Sequence, residues 1–212
     1  MRTIYWGWLG LLTLLVSSEA ARAHPVAFRG SVGVMGYHSK DMTDLELNYS
    51  VRHWFAPSVQ ALRFTEGTNQ PDAWLGKANF LLYRRNGAAS QLNVYGRVGG
   101  GYARLNGGGG AYSAGFTADA ENRQLYFLAQ ADTLRRGSDT LATFWKARVG
   151  FAPYVTGFEQ LHTWLVLEAN QKSLGEKRVN LVPTLRFFYQ NVLWEVGSTL
   201  SGDLHLNYII HI

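Results

Sequence analysis

No cysteine occurs among the 212 residues, and only 17% of them are charged. The absence of thiols excludes a disulfide framework and any Cys-based zinc or nucleophile site. A charged share below the roughly 25% of an ordinary soluble domain leaves little surface for water to solvate. Proline is scarce (5) beside 23 glycines, and 14% of the residues are aromatic. A chain that is 47% hydrophobic with a net charge of only +5 is not disordered. The positive excess is mild and dispersed, which argues against a nucleic-acid partner. The length suits one mid-sized domain whose apolar residues are scattered rather than clumped.

The one apolar run comes first. Met1 to Ala23 has a basic tip at Arg2, an apolar stretch from Ile4 to Val16, and the ending Ala21-Arg22-Ala23. That pattern is expected of a secretory signal peptide, and the stretch falls short of the about 20 residues a spanning helix needs. Residues 1–23 are therefore read as a signal and 24–212 as a single domain. Cleavage there would expose His24, whose α-amino group and imidazole make a candidate copper chelate. Met35, His38 and His53 lie near it in sequence, but strand spacing scatters them. No cofactor is expected.

Beyond residue 24 the chain alternates with period two, the mark of strands with two unlike faces. Leu45, Leu47, Tyr49, Val51 and Phe55 alternate with Glu46, Asn48, Ser50, Arg52 and Trp54. Leu181, Leu185, Phe187 and Tyr189 alternate with Asn180, Thr184, Arg186 and Gln190. Turn signals separate such runs, among them Ala56-Pro57, Arg85-Asn86-Gly87, Asn106 to Gly110 and Ser201-Gly202-Asp203. The tract Gly107–Gly110 lacks the Lys-Ser/Thr and helix of a phosphate loop, and reads as a loop tip. No helical stripe competes. The spacing predicts strands over 26–38, 43–55, 58–65, 73–84, 91–105, 111–121, 123–134, 140–152, 159–170, 178–190, 191–200 and 203–212. The fold class is therefore all-β, a closed antiparallel up-and-down transmembrane barrel of about twelve strands, or ten if two short runs merge. Twelve strands of about ten residues leave only short connections.

A soluble barrel shows the same alternation with inside and outside exchanged. Here one face carries many large polar residues, too many for a packed soluble interior, while the other is nearly all aliphatic or aromatic. Aromatics gather toward strand ends (Phe55, Trp74, Trp145, Phe151, Tyr189, Trp194), as in interfacial girdles. The segment Gly202-Asp203-Leu204-His205-Leu206-Asn207-Tyr208-Ile209-Ile210-His211-Ile212 resembles the closing strand of bacterial outer-membrane β-barrels, with Ile212 where Phe is usual. That resemblance covers the barrel class and no particular family. It implies a bacterial outer-membrane location, contact with outer-membrane lipids including lipopolysaccharide, and handling by the barrel-assembly machinery. A monomer is expected.

With the polar face inward, the lumen is expected to hold Glu46, Arg52, Lys77, Arg97, Lys146, Arg148, Glu168, Arg186 and Glu195, together with Asp119, Asp132 and Asp203. Acids and bases balance, which favours internal pairing over the one-sided charge of a selective pore. Trp54, Leu81, Tyr83, Tyr95, Phe144, Trp164 and Phe188 should narrow the passage. Two main functional readings follow, a structural barrel or a narrow passive channel for small polar solutes. A lipid-modifying enzyme of deacylase or phospholipase type is the third, with Ser201, Asp203 and His205 as candidate catalytic residues. A copper-related protein using His24 is the fourth.

Overall fold

The computed structural model describes residues 25–65, 72–104, 107–157, 159–172 and 179–212. The segment 1–23 and the candidate chelate at His24 lie outside the described residues. Within them the chain forms twelve strands: β1 (Val32–His38), β2 (Met42–Tyr49), β3 (Phe55–Phe64), β4 (Asp72–Asn86), β5 (Ser90–Ala103), β6 (Gly109–Asn122), β7 (Leu125–Arg136), β8 (Asp139–Phe151), β9 (His162–Lys172), β10 (Asn180–Tyr189), β11 (Val192–Ser198) and β12 (Leu204–His211). Every strand runs antiparallel to its sequence neighbours, and β1 closes on β12 with Gly33 opposite His211 and His38 opposite Leu206. The sheet is a closed up-and-down barrel of twelve strands, not ten. Closure leaves no edge with unpaired backbone groups, the condition for a sheet to sit in lipid.

Parity explains which residues face where. On β2, Glu46 and Asn48 are buried inside, whereas Leu47 keeps 49% of its surface. Val59 at 61%, Val98 at 54% and Leu165 at 53% repeat this on β3, β5 and β9. Large aliphatic side chains thus cover the outside, as hydrocarbon requires and water would not tolerate. The end holding the start of β1 and the finish of β12 is here the near end, and the opposite one the far end. Toward the far end Trp74 pairs across strands with Tyr102, and Tyr112 follows on β6. Toward the near end Phe55 packs on Phe80 at 5.2 Å between ring centres and Phe187 on Trp194 at 4.7 Å.

Three local departures matter. The alternation of β2 runs on in sequence through Arg52 and Trp54, but the strand stops at Tyr49 and the chain reverses. Arg52 and Phe55 close that reversal with two backbone hydrogen bonds of 3.1 Å. Arg52 and Trp54 are therefore exposed in a turn, not in the lumen. The reversal occurs before the Ala56-Pro57 turn signal, which lies within β3. The β2–β3 ladder ends at Asn48 and Ser58, so Pro57 lacks no ladder hydrogen bond on that side. On β4 a bulge between Leu81 and Tyr83 slips the register by one residue, turning Tyr83 outward and Arg84 inward beside Asn93.

The third departure is at the near mouth, where the expected strand 26–38 begins only at Val32. The segment before it instead turns Val26 against the inner wall, burying it on Ala56, Tyr95 and Leu81, while Phe28, Arg29 and Gly30 stay exposed. Hydrogen bonds from the Ala27 N–H to Ser50 Oγ (3.1 Å) and from the Gly30 N–H to the Ser50 carbonyl (2.7 Å) hold it there.

Candidate functional site

The inner faces of all twelve strands enclose one long cavity of about 450 Å³. Its lining runs from Met42 and Leu62 at the far end to Trp164 and Phe188 at the near end. The middle is polar, and its charges are held by partners standing opposite one another in register. Arg148 faces Glu168 across the β8–β9 ladder, Arg186 faces Glu195 across β10–β11, and Glu195 faces Asn207 across β11–β12.

These rows merge into one network. Arg148 Nε donates to Glu168 Oε2 at 2.5 Å, and its Nη1 reaches Glu195 Oε2 at 3.0 Å, three strands away. Arg186 Nε donates to Glu195 Oε1 at 2.6 Å and Asn207 Nδ2 to Glu195 Oε2 at 2.6 Å. The Arg186 guanidinium also lies 4.1 Å from the centre of the Tyr126 ring, in cation–π range. Glu195 itself is 2% exposed, so its charge is tolerated only because both oxygens are satisfied.

A second group sits on β2–β4. Lys77 Nζ and Glu46 Oε2 are 2.6 Å apart, while Ser58 Oγ (2.6 Å) and Asn79 Nδ2 (3.0 Å) donate to Glu46 Oε1. A third spans β5–β7, where Arg97 grips Asp132 at 2.8 and 3.0 Å and Thr117 at 2.6 Å. Arg97, Gly115 and Asp132 form one row across three strands, and the pair bridges directly over the glycine. A Cβ at Gly115 would lie 1.8 Å from Asp132 Oδ1, so no other residue leaves room for the bridge. Gly115→Ala is expected to break the pair and cost about 1–3 kcal/mol, the penalty of leaving buried polar groups unmet. Urea unfolding in vesicles reads this, and parent-like stability would show that the pair contributes nothing.

Of the expected lumen residues, Glu46, Lys77, Arg97, Lys146, Arg148, Glu168, Arg186 and Glu195 line this cavity, with Asp119 and Asp132. Arg52 does not, for the reason given above. Asp203 precedes β12 and lies at the far rim, 3.3 Å from Lys40. The hydrogen bond from that ammonium, and a further one from Ser201, holds its carboxyl below the usual carboxylate range. Asp44 and Lys172 also line the cavity and were not expected there. Their parity with Glu46 and Asn170 was the available signal. Seven bases and seven acids face the cavity among the described residues, so the expected balance of sign is present.

The far end differs in kind. Met42, Leu62, Phe64, Leu75, Leu134 and Leu141 are buried inside the barrel as an apolar collar, with Tyr37 and Phe144 packed against it. Phe64 on β3 stacks on Phe144 on β8 at 6.0 Å with an interplanar angle of 1°, joining opposite walls. On the outside of the same reach stand Arg63 and Asp72, 3.7 Å apart. There the pattern is that of a water-soluble barrel, apolar within and charged without.

The catalytic candidates do not assemble. Ser201 Oγ lies 3.2 Å from Asp203 Oδ2 and 2.9 Å from Thr199 Oγ1. His205 turns inward, where its Nδ1 meets the Tyr37 hydroxyl at 2.9 Å. A hydroxyl bound to an ion-paired aspartate, with the imidazole engaged elsewhere, has no base to activate it. No group of three or more His, Asp or Glu gathers in metal-binding geometry among the described residues.

No protein-family model matches the sequence, and no curated protein matches it. In fold the chain is similar to a KdgM porin in complex with disordered oligogalacturonate (TM-score 0.50, 10% identity, 85% of this chain and 97% of that one covered). A second KdgM porin structure matches with the same TM-score, identity and coverage. The likeness lies in the closed antiparallel barrel, which this chain shares with those porins.

Proposed function

We propose that the chain is a bacterial outer-membrane β-barrel giving small polar solutes a narrow passive route. The observation that carries this reading is the long cavity, charge-lined along its middle, inside a closed barrel whose outside is apolar. The porin fold of the KdgM structures supports it. In that setting the lipid-facing belt contacts outer-membrane lipids, lipopolysaccharide at the far end, and the monomer is the working unit. Insertion by the barrel-assembly machinery through the β12 strand belongs to the same proposal.

Planar-bilayer recording of folded protein, checked by heat-modifiable gel migration, tests it. Small, steady conductance steps are expected, and absence of current from folded protein sinks the channel in favour of a structural barrel. Because acids and bases balance along the path, selectivity should be weak. The reversal potential in a potassium chloride gradient should lie near zero, and a strong preference for either ion would contradict the pairing described above. The Phe64–Phe144 stack favours a low conductance, which Phe144→Ala should raise.

A further inference from the structure

The cavity is not uniform around its circumference. Phe144 and Lys146 lie two residues apart on the inner face of β8, and Phe144 stands opposite Lys172 of β9 in register. Both ammonium groups approach the ring of Tyr37, at 5.5 Å for Lys146 and 5.0 Å for Lys172. Lys172 also donates to Ser39 Oγ at 2.5 Å. Among the described residues no carboxylate is in ion-pair contact with Lys146. The acids that act on it are engaged elsewhere: Glu168 by Arg148 and Asn170, Glu195 by Arg148 and Arg186, Asp132 by Arg97 and Gln130, and Asp44, opposite Tyr37 in register, by Gln60. The apolar collar begins in the row that Phe144 shares with Lys172, one step beyond Lys146, with Met42, Leu62 and Phe144 facing the same cavity.

We propose that this border between cations and collar is a binding subsite for small carboxylates with an apolar body, such as aromatic or short alkyl acids. The carboxylate would sit between Lys146 and Lys172, where charge-assisted hydrogen bonds are strong. The body would lie on Phe144 and the aliphatic wall, gaining by burial. A plain sugar would leave that wall unsatisfied, and a hydrocarbon would bring no carboxylate to Lys146. The inference rests on the channel reading for its biological use but not for its test.

Equilibrium dialysis of the folded barrel, with empty micelles as control, measures binding without conduction. Sodium benzoate is expected to bind at least about tenfold more tightly than sodium acetate or benzyl alcohol, since each lacks one half of the match. Lys146→Gln should weaken benzoate about tenfold and leave benzyl alcohol unchanged. Phe144→Ala should bring benzoate toward acetate. Fold is verified for each variant by heat-modifiable migration, and Lys172→Gln serves as a second charge variant should Lys146→Gln misfold. Benzoate binding no better than acetate, or binding unchanged in both lysine variants, overturns the subsite. Binding without current overturns only the channel, and current without benzoate binding overturns only this subsite.

Discussion

Replacing Glu195 by alanine should lower the unfolding free energy by about 3–5 kcal/mol, because it leaves two guanidinium groups buried without their shared partner. Arg148 and Arg186 both donate to this carboxylate, and Asn207 completes it. Glu168 remains for Arg148, but Arg186 keeps Tyr126 and, among the described residues, no other ion-pair partner. The double variant Glu195→Ala/Arg186→Met should therefore recover part of the loss, as expected when one unpaired charge is removed together with its partner. Urea unfolding in phospholipid vesicles, followed by tryptophan fluorescence, measures both. A loss below about 1 kcal/mol for the single variant would mean that water screens the network as it does a surface pair.

The second large effect concerns the outside. Val98 lies in the middle reach of β5 with 54% of its surface exposed. Val98→Arg should cost about 2–4 kcal/mol in a bilayer, the penalty for a cation at midplane depth. Tyr112→Arg, near the far girdle, should cost only about 0–1 kcal/mol. Equal and small costs at both positions would remove the assignment of this face to lipid. The same vesicle titration gives the answer, and the depth dependence separates lipid exposure from loss of packing.

How far the sequence could be read follows from where one parity rule holds. From β9 to β12, and in the middle of β2, the polar residues are inward, and Glu168, Arg186, Glu195 and His205 fall where alternation puts them. Two breaks in the rule are local. The alternating residues 51–54 carry no sign that Arg52 and Phe55 bond across a turn. Nothing at Leu81-Leu82-Tyr83 marks the extra residue of the bulge. The largest miss is physical rather than local. At the far end, Leu62 and Phe64 face inward while Arg63 faces outward, the reverse of the rule. Once a strand leaves hydrocarbon, water outside and burial inside restore the ordinary soluble pattern. A reading that assumes lipid along the whole strand cannot see the collar. The charge network was legible as a list of residues and a balance of sign. Its connections were not, because Arg148 meets Glu195 three strands away, across a lumen that only the curvature of the sheet creates. Of the Ser201, Asp203 and His205 cluster, close in sequence, the first two meet in the turn, whereas His205 on the strand is aimed inward at Tyr37.

The seam between β1 and β12 also dictates the order of events in folding. Gly33 pairs with His211, so the most distant parts of the barrel must meet before the sheet has no free edge. In hydrocarbon every unpaired backbone group costs several kcal/mol, so a partly closed sheet has no stable resting place there. Insertion and closure must therefore proceed together, as one cooperative step whose rate is governed by the longest loop that any contact in the molecule closes. With no cysteine in the chain, that step needs no oxidant and leaves no covalent record of its progress. A chain stalled short of β12 would present the open edges of β1 and β11 to any neighbouring strand, and aggregation by strand pairing is the failure to expect from it.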